Sequence, residues 1–479
     1  MKNTPEQINR RDFLLGCTAG AAGLTFSCGA GENTAGGTGK KPNIIFILAD
    51  DLGYGDLGCY GQKEIKTPNI DRLAEQGLRF TDHYAGSTVC APSRCCLMTG
   101  FHTGHAYIRG NSEVKPMGQR PLPAGTATVA GLLKEAGYTT ALIGKWGLGG
   151  PDSAGIPNRQ GFDHFFGYLC QRHAHNYYPE FLFRNREKVP LQGNQVENPR
   201  PDGAGKSIEK ASYSHDLCVQ EALTFVERNK NNPFFLYLAV TIPHANNEAG
   251  SEGMEVPSDE PYTDREWPRQ QKNHAAMITR LDRDVGRLMA QLKRLGIDRQ
   301  TLVIFTSDNG PHREGGADPE YFNSNGPLRG IKRDLYEGGI RVPMIAHWPG
   351  KIAPGSVTGH VSAFWDFLPT AAQVAGIPAP ADIDGISYLP GLLGRKQEKH
   401  EFLYWEFHEG RASKQAVRTG HWKAVRLRPG AELELYNLQD DIAEQHDIAG
   451  RHPDIVARIE NYLKTARTES ELWKLAGGS

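Results

Sequence analysis

The chain has 479 residues, of which 39% are hydrophobic and 23% charged, and a formal net charge of -1. That length suits one large domain with a smaller appendage rather than a single small core. The near-zero charge offers no global field for nucleic acid or an acidic membrane, and no apolar run is long enough to span a bilayer. The cysteines (Cys17, Cys28, Cys59, Cys90, Cys95, Cys96, Cys170 and Cys218) contain no CxxC pair, which argues against a zinc ribbon, a thioredoxin-like site or a dense disulfide framework.

Arg10-Arg11 precedes Phe13-Leu14-Leu15 and a weakly apolar run over 16–26. This resembles a twin-arginine export signal, so a periplasmic or cell-surface location is expected. Leu24-Thr25-Phe26-Ser27-Cys28 is a loose lipobox that makes Cys28 a candidate lipid anchor, although Phe26 fits the pattern poorly. Residues 29–41 are rich in Gly, Ala and Thr and read as a flexible tether. Residues 1–41 are therefore set apart from the fold.

From residue 43 onward, apolar runs alternate with amphipathic stretches. NIIFILA (43–49) predicts a buried strand. Thr67-Pro68 opens a helix that Gly77 closes, and residues 126–136 predict a helix ended by Gly137. Strands are expected at 138–143, 234–240 (FFLYLAV) and 302–306 (LVIFT), with helices at 215–229 and 274–295. Such alternation implies an α/β sheet covered on both faces. Residues 187–211 and 246–272 are polar and turn-rich and read as surface loops. Past residue 399 the rhythm changes to short strands at 402–407, 414–419, 422–426 and 432–436. Ile455, Ile459, Tyr462 and Leu463 then suggest a closing helix. The expected division is a catalytic domain over 42–398 and a subdomain over 399–479.

Chemistry gathers after the strands. NIIFILA ends in Asp50-Asp51, the 138–143 strand leads to Lys145, FFLYLAV to His244, and LVIFT to Asp308-Asn309. Ligand sites of α/β sheets lie beyond the carboxyl ends of the strands. Taken singly, each residue is a plausible cap or turn. Together they offer hard oxygens that suit Ca²⁺ or Mg²⁺ better than zinc. Pro92 suits a first helical turn, which places Cys90 at a helix N-terminus with Arg94 one turn away.

Cys90-Ala91-Pro92-Ser93-Arg94, followed by Cys95-Cys96-Leu97-Met98-Thr99-Gly100, resembles the type I sulfatase signature, in which the motif's Cys becomes formylglycine. Asp50-Asp51, Gly144-Lys145-Trp146, His244 after Pro243, Ser307-Asp308-Asn309-Gly310 and the block from Gly330 to Pro343 follow the family order. The resemblance implies an alkaline phosphatase-like α/β fold: a large mixed sheet sandwiched by helices, with a small C-terminal antiparallel sheet plus helix. It implies one Ca²⁺ held by Asp50, Asp51, Asp308, Asn309 and the modified Cys90, and a formylglycine-generating maturation enzyme as partner. Hydrated formylglycine would attack sulfur through one hydroxyl, and the second would later expel sulfate. Arg94 would orient the hydrate, Lys145 and Lys332 would bind sulfate oxygens, and His244 would protonate the leaving oxygen. Many family members carry a His where this chain has Gly147, and that His assists the collapse step. His105 and His175 are candidates to replace it.

The span 170–178 and the stretch 312–329 combine aromatic, imidazole and guanidinium groups, which suit sugars as well as ordinary turns. His175, His312, Arg329 and His105 are the candidate substrate contacts. With the export signal, a sulfated glycan is the expected substrate class, a small sulfate ester the simpler one. The rival readings are a phosphonate or phosphodiester hydrolase of the same superfamily, and a catalytically dead glycan-binding surface protein.

Overall fold

The computed structural model describes residues 40–410 and 412–476; the expected export signal, tether and Cys28 anchor lie outside them. The strand Asn43–Asp50 is buried along its whole length. Successive strand side chains point to opposite faces. Ile44, Phe46 and Leu48 therefore enter one core while Ile45, Ile47 and Ala49 enter another. A strand covered on both sides has no face to make polar, which explains the unbroken apolar run.

Phe234–Pro243 and Thr301–Ser307 flank this strand in parallel. Thr139–Lys145 and then His164–Tyr168 continue the parallel set beyond Phe234–Pro243. Outside it the sheet becomes mixed. Met344–His347 pairs antiparallel with Thr301–Ser307, and Phe181–Arg184 pairs antiparallel with His164–Tyr168. Among the described residues the sheet has ten strands. Helices Cys90–Thr99, Val129–Glu135 and Phe367–Ala375 cover the Phe46 face; Pro68–Glu75, Ser214–Asn229 and Arg269–Arg294 cover the other. Cys95 and Cys96 are fully buried small residues of the first of these helices.

The strands Leu403–Glu409, Ala412–Thr419, Trp422–Arg426 and Glu434–Asn437 form a separate antiparallel sheet. The helix Pro453–Thr465 packs Ile459, Tyr462 and Leu463 against its Tyr404, Val417 and Leu435. Sheet and helix thus match the expected small C-terminal antiparallel sheet plus helix, with the strand boundaries shifted by one or two residues.

Residues 187–211 depart from the expected irregular loop. Glu187–Pro190 adds an edge strand to the large sheet, and Asn194–Glu197 pairs with Lys206–Lys210 as a two-stranded ribbon. These are polar edge strands, whose charged side chains guard against edge-to-edge pairing and hide the apolar alternation. The Phe234–Pro243 strand also outlasts its apolar run, which carries its end directly to His244.

Candidate active site

Four neighbouring parallel strands end together, and each delivers side chains there. Asp50 and Asp51 would face opposite ways on a continuing strand. Asp51 instead takes φ 63, a left-handed conformation that Asp tolerates better than bulkier residues. Its N–H donates to Asp308 Oδ1 at 3.1 Å. The alternation breaks, and one oxygen from each carboxylate, Cys90 Sγ and a His244 nitrogen all lie within 4.8 Å of one another.

Cys90 is the first residue of the helix Cys90–Thr99. Its Sγ is 3.2 Å from Lys145 Nζ and 3.7 Å from Asp50 Oδ1. Burial pushes the thiol up to about 12, so cysteine as encoded is protonated here and a weak nucleophile. The other motif residues fix the helix to the sheet. Ser93 Oγ donates to the Asp308 carbonyl at 2.6 Å. Arg94 donates from Nε and one terminal nitrogen to Asp308 Oδ2, at 3.2 and 2.8 Å, and from the other to the Lys145 carbonyl at 2.7 Å.

The buried charges are interleaved. Lys145 Nζ lies 2.6 Å from Asp50 Oδ2, and Lys332 Nζ lies 2.8 Å from Asp51 Oδ2 and 3.2 Å from Glu314 Oε2. Burial would raise Asp50 and Asp51, but the surrounding positive groups, led by Lys145 for Asp50 and Lys332 for Asp51, together outweigh it and hold both low. Asp308 goes the other way, pushed up to about 7 by burial and the charge on Asp50. His244 falls to about 3 through burial and Lys332. An ammonium only donates, so His244 Nε2 accepts from Lys332 at 3.0 Å, and Nδ1 carries the proton to the Ala245 carbonyl at 2.6 Å.

The donor set fits a hard divalent cation. Asn309 Nδ2 donates to Asp51 Oδ1 at 2.7 Å, whereas Asn309 Oδ1 is buried without any partner among the described residues. A buried orphan acceptor beside three carboxylates is what an oxygen-preferring ion satisfies.

The family model described as Sulfatase matches residues 42–377. The chain belongs to the type I sulfatase family. It is a sulfuric ester hydrolase of the alkaline phosphatase-like superfamily. A second model, for the C-terminal part of N-sulphoglucosamine sulphohydrolase, matches residues 331–469. Human arylsulfatase A is 36% identical, over 88% of this chain and 87% of its own length. An N-acetylgalactosamine-6-O-sulfatase of Bacteroides thetaiotaomicron is 31% identical, over 95% and 99%. Among solved structures, Ps i-CgsB in complex with k-i-k-neocarrahexaose superimposes with a TM-score of 0.76 at 31% identity, covering 89% of this chain and 93% of that one.

This sulfatase brings together Asp50, Asp51, Cys90, Arg94, Lys145, His244, Asp308, Asn309 and Lys332. His175 also reaches the site: its ring stacks on His244 at 4.8 Å, with Nδ1 3.0 Å from Glu248 Oε2. His312 stacks on the same ring at 5.7 Å, but both its nitrogens are used within the protein, Nε2 on the Pro243 carbonyl and Nδ1 on the Glu314 N–H. It supports His244 rather than presenting a nitrogen to substrate. His105 does not join: Nδ1 is 2.8 Å from Asp384 Oδ1, and the ring stacks on His102. Arg329 is likewise drawn elsewhere, to the hydroxyl of Tyr436 on the strand Glu434–Asn437 and to the Glu444 carbonyl. Sequence reasoning missed the role of Glu314, which anchors Lys332 and Arg333. Its one available signal was its place six residues after Asp308.

Proposed function

We propose that this sulfatase is exported and removes sulfate from a sulfated carbohydrate, using a formylglycine made from Cys90 and one calcium ion. The observation that carries this reading is the convergence of Cys90 and Lys145 with the oxygen cluster of Asp50, Asp51, Asp308 and Asn309. The substrate class is supported by relatives: one is named for N-acetylgalactosamine 6-sulfate, and one was solved with a neocarrahexaose. Export is supported by Arg10-Arg11 and the run behind it, with Cys28 as the place for a lipid anchor.

A sulfate ester repels nucleophiles through its own oxygens. Lys145 and Lys332 bring two ammonium charges into a buried site, where they bind sulfate oxygens more strongly than in water. Asp50, Asp51, Asp308 and Asn309 would hold calcium, which when bound supplies neutralising charge and a seat for a sulfate oxygen. A hydrated formylglycine at 90 supplies the nucleophilic hydroxyl, and a second hydroxyl for sulfate release. Arg94, spent on Asp308 and the Lys145 carbonyl, positions both of those groups. The leaving oxygen needs a proton, and the Lys332 Nζ–His244 Nε2 pair holds one at 3.0 Å, with Glu314 steadying the ammonium.

The test is expression with a formylglycine-generating enzyme, a peptide mass at position 90, and sulfate release from N-acetylgalactosamine 6-sulfate and carrageenan oligosaccharides. An aldehyde at 90 together with calcium-dependent release is the expected result. Full activity with an unmodified thiol would overturn the formylglycine chemistry. Faster cleavage of a matched phosphate or phosphonate ester favours the rival hydrolase. Binding without release favours a glycan-binding protein.

A further inference from the structure

Gly147 lies two residues beyond Lys145 with φ +80. A β-carbon on it would stand 2.0 Å from Gln171 Nε2 and 2.8 Å from its carboxamide carbon. Gln171 therefore fills the room that a side chain at 147 would need. It is 5% exposed, and neither Nε2 nor Oε1 has a hydrogen-bond partner among the described residues. Buried carboxamides are normally paired, and leaving both atoms unpaired is costly.

The backbone of this residue is well anchored. Its N–H donates to Gln119 Oε1 at 3.1 Å, and the Cys170 thiol reaches the same oxygen at 3.5 Å. Its segment leaves the strand His164–Tyr168, where Tyr168 pairs with Lys145 in register. Four residues after Gln171, His175 lies against the His244 ring. The unpaired carboxamide thus sits on a short span joining the Lys145 strand end to the ring beside His244. Gln171 is buried like Lys145 and His244 themselves, which are 1% and 2% exposed.

We propose that Gln171 is a substrate contact whose Nε2–H donates to an oxygen of the sulfate ester, with Oε1 left to accept from a hydroxyl beside it. The inference rests on the sulfatase reading above. A carboxamide does not titrate near neutral pH, so its part is binding and orientation, not proton transfer.

The experiment compares wild type, Gln171→Ala and Gln171→Glu as the full chain, co-expressed with the maturation enzyme. It reads kcat/KM on an aryl sulfate, the pH profile, and the thermal shift given by inorganic sulfate. Gln171→Ala is expected to stay folded, lose about 10- to 100-fold in kcat/KM and lose most of the sulfate shift. Gln171→Glu should lose activity progressively as pH rises through the carboxylate range, since an ionised carboxylate repels sulfate; a merely structural role gives no such limb. Unchanged kcat/KM and sulfate shift in Gln171→Ala, or a wild-type pH profile in Gln171→Glu, overturns the contact while an active wild type keeps the sulfatase reading. If wild type releases no sulfate yet loses its sulfate shift on Gln171→Ala, the contact stands and the sulfatase reading falls. Absence of both turnover and shift in the wild type overturns both.

Discussion

Arg94 divides its guanidinium between Asp308 and the backbone of Lys145, entirely out of contact with water. A planar fork can hold two partners at fixed angles; an ammonium cannot. Arg94→Lys is therefore expected to lose roughly 100-fold in kcat/KM, because Asp308 and Lys145 shift together. It should also lose about 3 kcal/mol of stability, since a buried pair loses its geometry rather than its charge. Steady-state kinetics and denaturant midpoints check the two effects separately, and a variant with wild-type midpoints would show that the fork is not structural. At this scale the sequence was informative wherever a reactive residue ended an apolar run, as at Asp50, Lys145, His244 and Asp308. Glu314 follows no such run, and Gln171, which does follow one (165–170), carries no titratable or nucleophilic group to draw notice; both roles come from contacts made across the chain. His105 and Arg329 misled because residue type suggested a ligand contact, while Asp384 and Tyr436 supply protein partners that sequence alone does not place.

The strands act as carriers, and their parallel alignment brings Asp50, Asp51 and Asp308 into one buried space. Three acids gathered this closely repel one another unless positive charge is shared among them. Lys145 and Lys332 cover Asp50 and Asp51, and Asn309 Oδ1 remains without a partner among the described residues. Chelation of the purified enzyme is therefore expected to lower its melting temperature, and calcium to restore it more fully than magnesium, which demands stricter octahedral geometry. A melting temperature indifferent to chelator and to added calcium would remove the calcium assignment. The central strands were legible because burial on both faces forces continuous Val, Ile, Leu and Phe. Leu78–Phe80 and Met344–His347 were not, being three and four residues long with no room to show a period.

The C-terminal sheet meets the catalytic unit through buried charges rather than an apolar seam alone. Lys423 Nζ lies 2.9 Å from Glu337 Oε1 and 3.2 Å from Glu444 Oε1, and the Glu337 N–H donates to Glu444 Oε2 at 2.7 Å. Glu337 comes from the block Gly330 to Pro343, so the same segment that carries Lys332 toward the site is also held by this joint. Arg341 lies 3.1 Å from Glu337 Oε2, so Glu337 has a cation beyond the shared Lys423, whereas Glu444 has Lys423 alone. Glu337 is held down to about 2: burial opposes this, but Lys423 and Arg341 prevail. Glu444 is pushed up to about 7 by burial, with Glu337 adding to it against Lys423. The signs are opposite. Glu337 contributes stability that is present above its ordinary carboxylate range and lost as pH falls toward 2. Glu444 binds its proton more tightly folded than unfolded, so its contribution is present below about 4.5 and lost as pH rises through 7. Glu444→Gln makes the neutral form permanent. The variant should match or fall slightly below wild type at pH 5 and exceed it at pH 8 by on the order of 1–2 kcal/mol. Urea unfolding at the two pH values measures this difference. A variant less stable than wild type at pH 8 would mean that ionised Glu444 is net favourable through Lys423, and that the joint needs both carboxylates charged.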